Sequence, residues 1–329
     1  MKAHFLAYSN AASLLYFNSS IPYYMKKGAR ACPRGRSLFD FSGSIGYSSA
    51  MDELFPDIAK RVEDSIKKKF HKTLFSRFTK AIVEYELIQP NDKIAVCMSG
   101  GKDSFVMAKL FQELKRHNKI PFELTFLVMD PGYSAENRAM IEKNAAAMNI
   151  PVTVFETDIF ENVFNIEKSP CYICARMRRG HLYHKAKDLG CNKIALGHHY
   201  DDVIETILMG MLYGGQMQTM MPKLKSANFE GMELIRPMYL IREDTIKAWR
   251  DYNGLQFLQC ACRFTESCAS CENEETSKRK KMKELIRRLE KEDPGIEQNI
   301  FRSVENVSLK TVIAYKDKEG VRHRFTDEY

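Results

Sequence analysis

Ile94-Ala95-Val96-Cys97-Met98-Ser99-Gly100-Gly101-Lys102-Asp103-Ser104 is the stretch from which the fold can be read. Its apolar start has the pattern of a strand buried on both faces. The glycines and the Asp-Ser pair then break the run, and Asp103 to about His117 takes helical spacing, so a strand passes directly into a helix. The same alternation continues outward. Strands are expected at Phe122–Met129, Val152–Glu156, Lys193–Leu196 and Glu233–Arg236. Helices are expected at Ala135–Met148, about Arg178–Leu189, after Asp202 to about Tyr213, and about Glu243–Tyr252. This order predicts an α/β fold, a parallel sheet with helices on both faces, with helical N-terminal and C-terminal additions. Ligands in such sheets sit beyond the carboxyl ends of the strands.

The 329 residues divide into five expected regions. Residues 1–55 form an extension with no sustained period. A basic helical segment spans 56–90, the α/β domain 91–258, and a cysteine-rich and basic helical region 259–310. A hairpin tail over 311–329 turns at Asp317-Lys318-Glu319-Gly320. Hydrophobic residues make up 44% and charged residues 28%, without an apolar run long enough to span a bilayer, so no membrane partner is expected. The net charge of +8 is concentrated in Lys60–Lys80 and Lys278–Lys291. Each stretch reads as a solvated helix face or as a surface for nucleic-acid phosphates.

Ser99 to Ser104 suits an anion. Gly100 and Gly101 let the backbone approach closely, unpaired amides open the following helix, Ser99 and Ser104 add hydroxyls, and Lys102 adds charge. A plain strand-to-helix turn would use similar N-cap chemistry. The spacing is not that of Gly-x-x-x-x-Gly-Lys-Ser/Thr. At another strand end, Gly197-His198-His199-Tyr200-Asp201-Asp202 gathers polar groups at the same sheet edge. Asp201 or Asp202 suits magnesium or orientation of an attacking group, and His198 or His199 suits an activated oxygen. The plainer reading makes Asp201 a helix cap and one histidine a core residue.

Nine cysteines fit a reducing compartment and metal chemistry better than a disulfide framework, and a cytoplasmic setting is expected. Cys171-x-x-Cys174 forms one group, and Cys260-x-Cys262 with Cys268-x-x-Cys271 a second. Zinc or an iron-sulfur cluster suits these thiolates, whereas Cys97 and Cys191 read as buried free thiols.

Val96 to Ser104 resembles the PP-loop of ATP pyrophosphatases, which cleave ATP between the α and β phosphates and leave an adenylylated substrate. Cys171 to Gly180, Lys193 to Asp202, Tyr213-Gly214-Gly215, Met221-Pro222-Lys223-Leu224 and Ile235-Arg236-Pro237 resemble the tRNA 2-thiocytidine synthetase family in unbroken order, over about Phe70 to Val307. That resemblance implies adenylylation of the C2 carbonyl of an anticodon-loop cytidine and replacement of its oxygen by sulfur. It implies a [4Fe-4S] cluster held by three cysteines, with sulfur presented on its free iron, together with Mg2+ and ATP as co-substrate. The matching positions make Lys102, Asp103, Asp201 and Asp202 catalytic. Ser99, Gly100, Gly101, Lys102, Asp103, Ser104, Gly197 and His198 become nucleotide contacts, and Arg176, Arg178 and Arg179 contacts to RNA. Cys171 and Cys174 are the first two cluster ligands. Counting forward from Pro237 makes Cys260 the third, and counting back from Pro294-Gly295 makes it Cys268; Cys260 is the reading adopted. The expected partners are tRNA and a sulfur donor of the cysteine desulfurase kind, and the chain is compatible with a homodimer. Alternatives are thiolation of a tRNA uridine, a small-molecule ATP pyrophosphatase making an amide, and a zinc-ribbon RNA-binding protein without catalysis.

Overall fold

The computed structural model describes residues 56–160, 170–258 and 274–328. The expectations for residues 1–55, and for Cys260 and Cys268, lie outside the described residues.

The chain enters through α1 (Pro56–Lys67), a π-helical turn (His71–Phe75) and α2 (Ser76–Glu84). Val62, Ile66, Phe70, Leu74, Phe78 and Ile82 recur every fourth residue, and all are buried. On an ideal α-helix a four-residue spacing drifts by about 40° at each step. The wider π turn takes up that drift and keeps one apolar face on the core.

A six-stranded sheet follows in the order β3-β2-β1-β4-β6-β5. Its strands are β1 (Asp92–Met98), β2 (Phe122–Asp130), β3 (Val152–Glu156), β4 (Lys193–Ala195), β5 (Lys223–Lys225) and β6 (Glu233–Ile235). All pairs are parallel except β5 with β6. β1 lies at the centre, with Ile94 opposite Leu124 on one side and Lys193 on the other. The connecting helices are α3 (Lys102–His117), α4 (Ala135–Ala147), α5 (Pro170–Asp188), α6 (Tyr200–Gly214) and α7 (Glu243–Tyr252). On one face Phe105, Met107, Phe111 and Trp249 join the α1–α2 residues in the main core. On the other, Tyr183 and Ala186 of α5 pack with Ala95, Cys97, Leu127 and Ile194. Helices therefore cover both faces, as the alternation predicted.

α8 (Glu274–Glu292) and α9 (Ile296–Ser303) pack on α6 around Ile204, Ile207, Ile286 and Phe301. The tail pairs β7 (Ala314–Lys316) with β8 (Arg322–Arg324), as expected. Among the described residues no helix is long and apolar enough to cross a membrane.

Two local expectations fail. The helix expected from about Arg178 begins at Pro170, so the first cysteine pair lies within its first five residues and not in a preceding loop. Proline suits the first helical turn, and the residues after it contain no helix breaker before Gly180. β5 is not among the expected strands: its three residues, Lys-Leu-Lys, are too few to establish a period, and it is recognisable only from its pairing to β6.

Candidate active site at the sheet switch point

After β1 the chain winds outward through β2 and β3, then returns to place β4 on the other side of β1. The carboxyl ends of β1 and β4 thus flank the switch point where open α/β sheets bind ligands. Ser99–Ser104 leaves β1 there, and Gly197–Asp202 leaves β4.

The two loops touch. A Cβ on Gly197 would lie 3.3 Å from the backbone carbon of Asp103. Gly100 adopts φ +86°, and a Cβ there would come within 2.8 Å of Ile141 and 2.9 Å of Leu258. At Gly101 the nearest atom to such a Cβ is 3.7 Å away, and its φ is −81°. The two glycines therefore differ: Gly100 is required by backbone and packing, whereas a Cβ at Gly101 would meet only ordinary contacts, with Ser99 Oγ at 3.7 Å and the Leu258 carbonyl oxygen at 3.9 Å. Gly100→Ala should cost at least the ~1–2 kcal/mol of a left-handed non-glycine residue. Gly101→Ala should leave the melting temperature almost unchanged while weakening ATP binding. Melting curves and nucleotide titration on the two variants check the contrast.

Gly101 caps α3 without a side chain, and the amides of Lys102, Asp103 and Ser104 have no acceptor among the described residues. Unpaired amides at a helix start are groups suited to an anion. Ser104 plays a different part from the expected one. Its buried hydroxyl donates to the Gly101 carbonyl at 2.8 Å and accepts from the Ser99 amide at 3.2 Å, so it pins the loop. Ser99 remains exposed. Lys102 lies 3.1 Å from Asp103 and 3.4 Å from Glu243.

At the β4 end the helix cap is His199, not Asp201. The His199 ring accepts from the Asp202 amide, and the Asp202 carboxylate accepts from the His199 amide at 3.0 Å, a reciprocal capping box. Asp201 accepts from Arg242 and, at 2.7 Å, from the Glu243 amide, with one oxygen 3.8 Å from His199 Nδ1. Asp202 faces Arg279 at 3.2 Å. His199 Nε2 stands 4.0 Å from Asp103 Oδ1, a buried oxygen without a hydrogen-bond partner.

His198 Nδ1 is likewise buried and unpartnered. Burial, reinforced by Arg236, pushes His198 down to about 3, so the ring is neutral near pH 7. The unfolded chain takes up this proton near pH 6.5 and the folded chain does not. The resulting stability is complete above that pH and is lost as pH falls through the window down to about 3. About 2 kcal/mol should disappear between pH 6.5 and pH 5. Urea midpoints measured across that range should fall more steeply for the wild type than for His198→Asn.

Cations gather round this acidic centre. Arg236 is buried, and burial lowers it to about 10, with Arg179 adding to the effect. Arg178 and Cys174 both act on Tyr133, whose hydroxyl is raised mainly by burial. Tyr133 follows β2, the neighbour of β1, so Cys174 and Arg178 lie toward the same carboxyl edge of the sheet as the phosphate loop. Arg176 and Arg179 are exposed, and Arg178 is half-buried. Cys171 is the second and Cys174 the fifth residue of α5, three positions apart in the chain. The helix N-terminus there favours negative charge, which fits thiolate ligands and the anionic cluster they would hold. Cys174 is packed into the main core. Cys97 and Cys191 are buried thiols as expected, and burial pushes Cys97 up to about 12.

Sequence reasoning missed Glu243, Arg242, Arg279 and Lys283. Glu243 had one available signal, since it opens the helix after β6 and so stands at the same sheet edge. The basic stretch Lys278–Lys291 is also not a uniform face. Arg279 and Lys283 turn inward onto Asp202, Glu205 and Glu243, while Lys280, Lys281, Arg287, Arg288 and Lys291 are exposed.

The model of the PP-loop domain family matches residues 66–262. A tRNA-cytidine(32) 2-sulfurtransferase from Cellvibrio japonicus (strain Ueda107) is 34% identical over 242 residues, covering 73% of this chain and 77% of the relative. One from Syntrophotalea carbinolica (strain DSM 2380 / NBRC 103641 / GraBd1) is 35% identical over 255 residues, covering 77% and 94%. Among solved structures, the U34-tRNA thiolase NcsA from Methanococcus maripaludis with its [4Fe-4S] cluster is 25% identical. Its TM-score is 0.54, and the match covers 70% of this chain and 76% of that one. The chain thus belongs to the PP-loop domain family, in the branch that the tRNA-cytidine(32) 2-sulfurtransferases represent.

Proposed function

We propose that this protein is an ATP-dependent tRNA sulfurtransferase that converts an anticodon-loop cytidine to 2-thiocytidine. The observation that carries the reading is the switch point itself: an anion cradle, a histidine–carboxylate cluster in which His198 Nδ1 and Asp103 Oδ1 lack partners, and a cysteine-bearing helix start lie toward one sheet edge. The relatives named as tRNA-cytidine(32) 2-sulfurtransferases supply the base and the RNA.

The amides at the start of α3 and Lys102 hold the phosphates, and the lack of a side chain at Gly101 lets them approach the backbone. Asp103 and Asp202 are the carboxylates suited to Mg2+. Asp201, engaged by Arg242 and the Glu243 amide, orients the β4 loop. The C2 oxygen of cytidine attacks the α-phosphorus, pyrophosphate leaves, and neutral His198 borders that oxygen as a donor or acceptor. AMP then departs with the oxygen as sulfur bonds to C2. Poised donors stabilise the phosphate charge that develops, and Mg2+ held by Asp103 and Asp202 would add its positive charge there. Cys171, Cys174 and Cys260, with Cys268 as the alternative third ligand, would hold a [4Fe-4S] cluster, which when bound supplies the sulfur. Arg176, Arg178 and Arg179 border the reacting base, and a base in an anticodon loop leaves its stack at little cost.

The exposed cations of α8 extend this surface for the tRNA backbone. Replacing Lys280, Lys281, Arg287 and Arg288 with alanine should flatten the salt dependence of tRNA binding by about one unit of log–log slope for each phosphate no longer neutralised. Arg279→Ala, at an inward position, should leave that slope unchanged; binding titrations over a salt series make the comparison.

The function is tested with anaerobically reconstituted protein, ATP, a sulfide source and tRNA, followed by nucleoside mass analysis. The expected product is 2-thiocytidine. Production of 2-thiouridine would move the reading to the activity named for the NcsA relative, and no thionucleoside would reject it.

A further inference from the structure

Three ammonium groups converge on Glu243, a buried residue at the start of α7. Lys102 of the phosphate loop lies 3.4 Å from one carboxylate oxygen. Lys247, one turn along α7, lies 2.8 Å from the other, and Lys283 of α8 closes on that same oxygen. The Glu243 amide donates to Asp201, tying the residue to the β4 loop as well. Burial by itself would raise this carboxyl, yet the surrounding lysines hold it far below the ordinary carboxylate range. It is therefore a fixed negative charge next to the lysine that should attract phosphate. A charge placed there repels the nucleotide directly, so its presence calls for a compensating role.

We infer that Glu243 is a positioning residue that aims Lys102 into the mouth of the phosphate loop and docks α8 onto the nucleotide site. α8 is the helix that follows the second cysteine group in the chain, so one carboxylate links the ATP half of the site to the sulfur half. The inference rests on the nucleotide reading above. Lys102 shares its ammonium between the arriving phosphates and one oxygen of Glu243, while the other oxygen keeps Lys283 in place.

Glu243→Gln keeps the shape and removes the charge. If Glu243 only repels phosphate, this variant should bind a non-hydrolysable ATP analogue with magnesium as tightly as wild type or more tightly. If it positions Lys102, affinity should fall about tenfold and Glu243→Asp should restore most of it. Lys283→Met should keep analogue affinity within threefold of wild type but uncouple the reaction, giving AMP with several-fold less thionucleoside per AMP. Lys247→Met touches the same carboxylate from within α7 and should change neither. Melting curves accompany each variant, and Lys283→Met keeps the α8 half testable should Glu243→Gln melt early. Undiminished analogue binding by folded Glu243→Gln would overturn the inference. So would an equal loss of AMP and thionucleoside in Lys283→Met. The analogue titration needs no tRNA, so a failure of the thiolation reading would show separately, as wild-type protein that binds nucleotide and makes no thionucleoside.

Discussion

Cys174→Ala is expected to strip iron from the protein and abolish thiolated nucleoside while ATP binding persists. Cys174 is the fifth residue of α5, packed into the main core, and Tyr133 links its surroundings to the carboxyl end of β2. Three thiolates leave no replacement for a missing one within the proposed ligand set, so the effect on the cluster should be all or none. Removing one buried sulfur costs the fold only about 1 kcal/mol, which keeps loss of iron separable from loss of structure. Iron and labile sulfide analysis together with a nucleotide titration measures both sides. Wild-type iron content in the variant would remove Cys174 from the ligand set.

The second large effect is expected at Lys102. Lys102→Met keeps the aliphatic stem and removes the charge that faces the α3 amides, Asp103 and Glu243. Loss of one poised donor to developing phosphate charge should slow AMP formation by about 10²–10³-fold. The iron content should stay at the wild-type level, the reverse of the Cys174 pattern. Pyrophosphate release measured with saturating tRNA checks the rate. A rate within a factor of a few of wild type would show that the loop amides and magnesium suffice.

Much of this arrangement is legible in the sequence because local chemistry demands it. A strand of Ile, Ala and Val breaking at Gly-Gly before a helix leaves few options, and Gly100 occupies the left-handed conformation that the motif needs. Gly197 to Asp202 reads the same way, as a polar break after a buried strand. The misread details are those where two local solutions compete. Asp201 and His199 both make reasonable caps, and only the reciprocal bonds with Asp202 decide between them. Ser104 offers a hydroxyl to phosphate in the sequence, but in the fold that hydroxyl closes the loop on Gly101.

Interactions between distant segments are the least legible. Arg279 meets Asp202 across 77 positions, and Lys283 meets Glu243 across 40. In a run as basic as Lys278–Lys291, nothing local separates these two inward residues from their exposed neighbours. Helical phase does so once Met282 and Ile286 are known to face the core.

In the proposed reaction one crevice transfers the C2 oxygen of a tRNA cytidine to AMP. The most direct test uses tRNA carrying ¹⁸O at that carbonyl, with mass analysis of the AMP formed during a single turnover. The account predicts one ¹⁸O in AMP for each 2-thiocytidine made. Label in water or free phosphate, with unlabelled AMP, would contradict it.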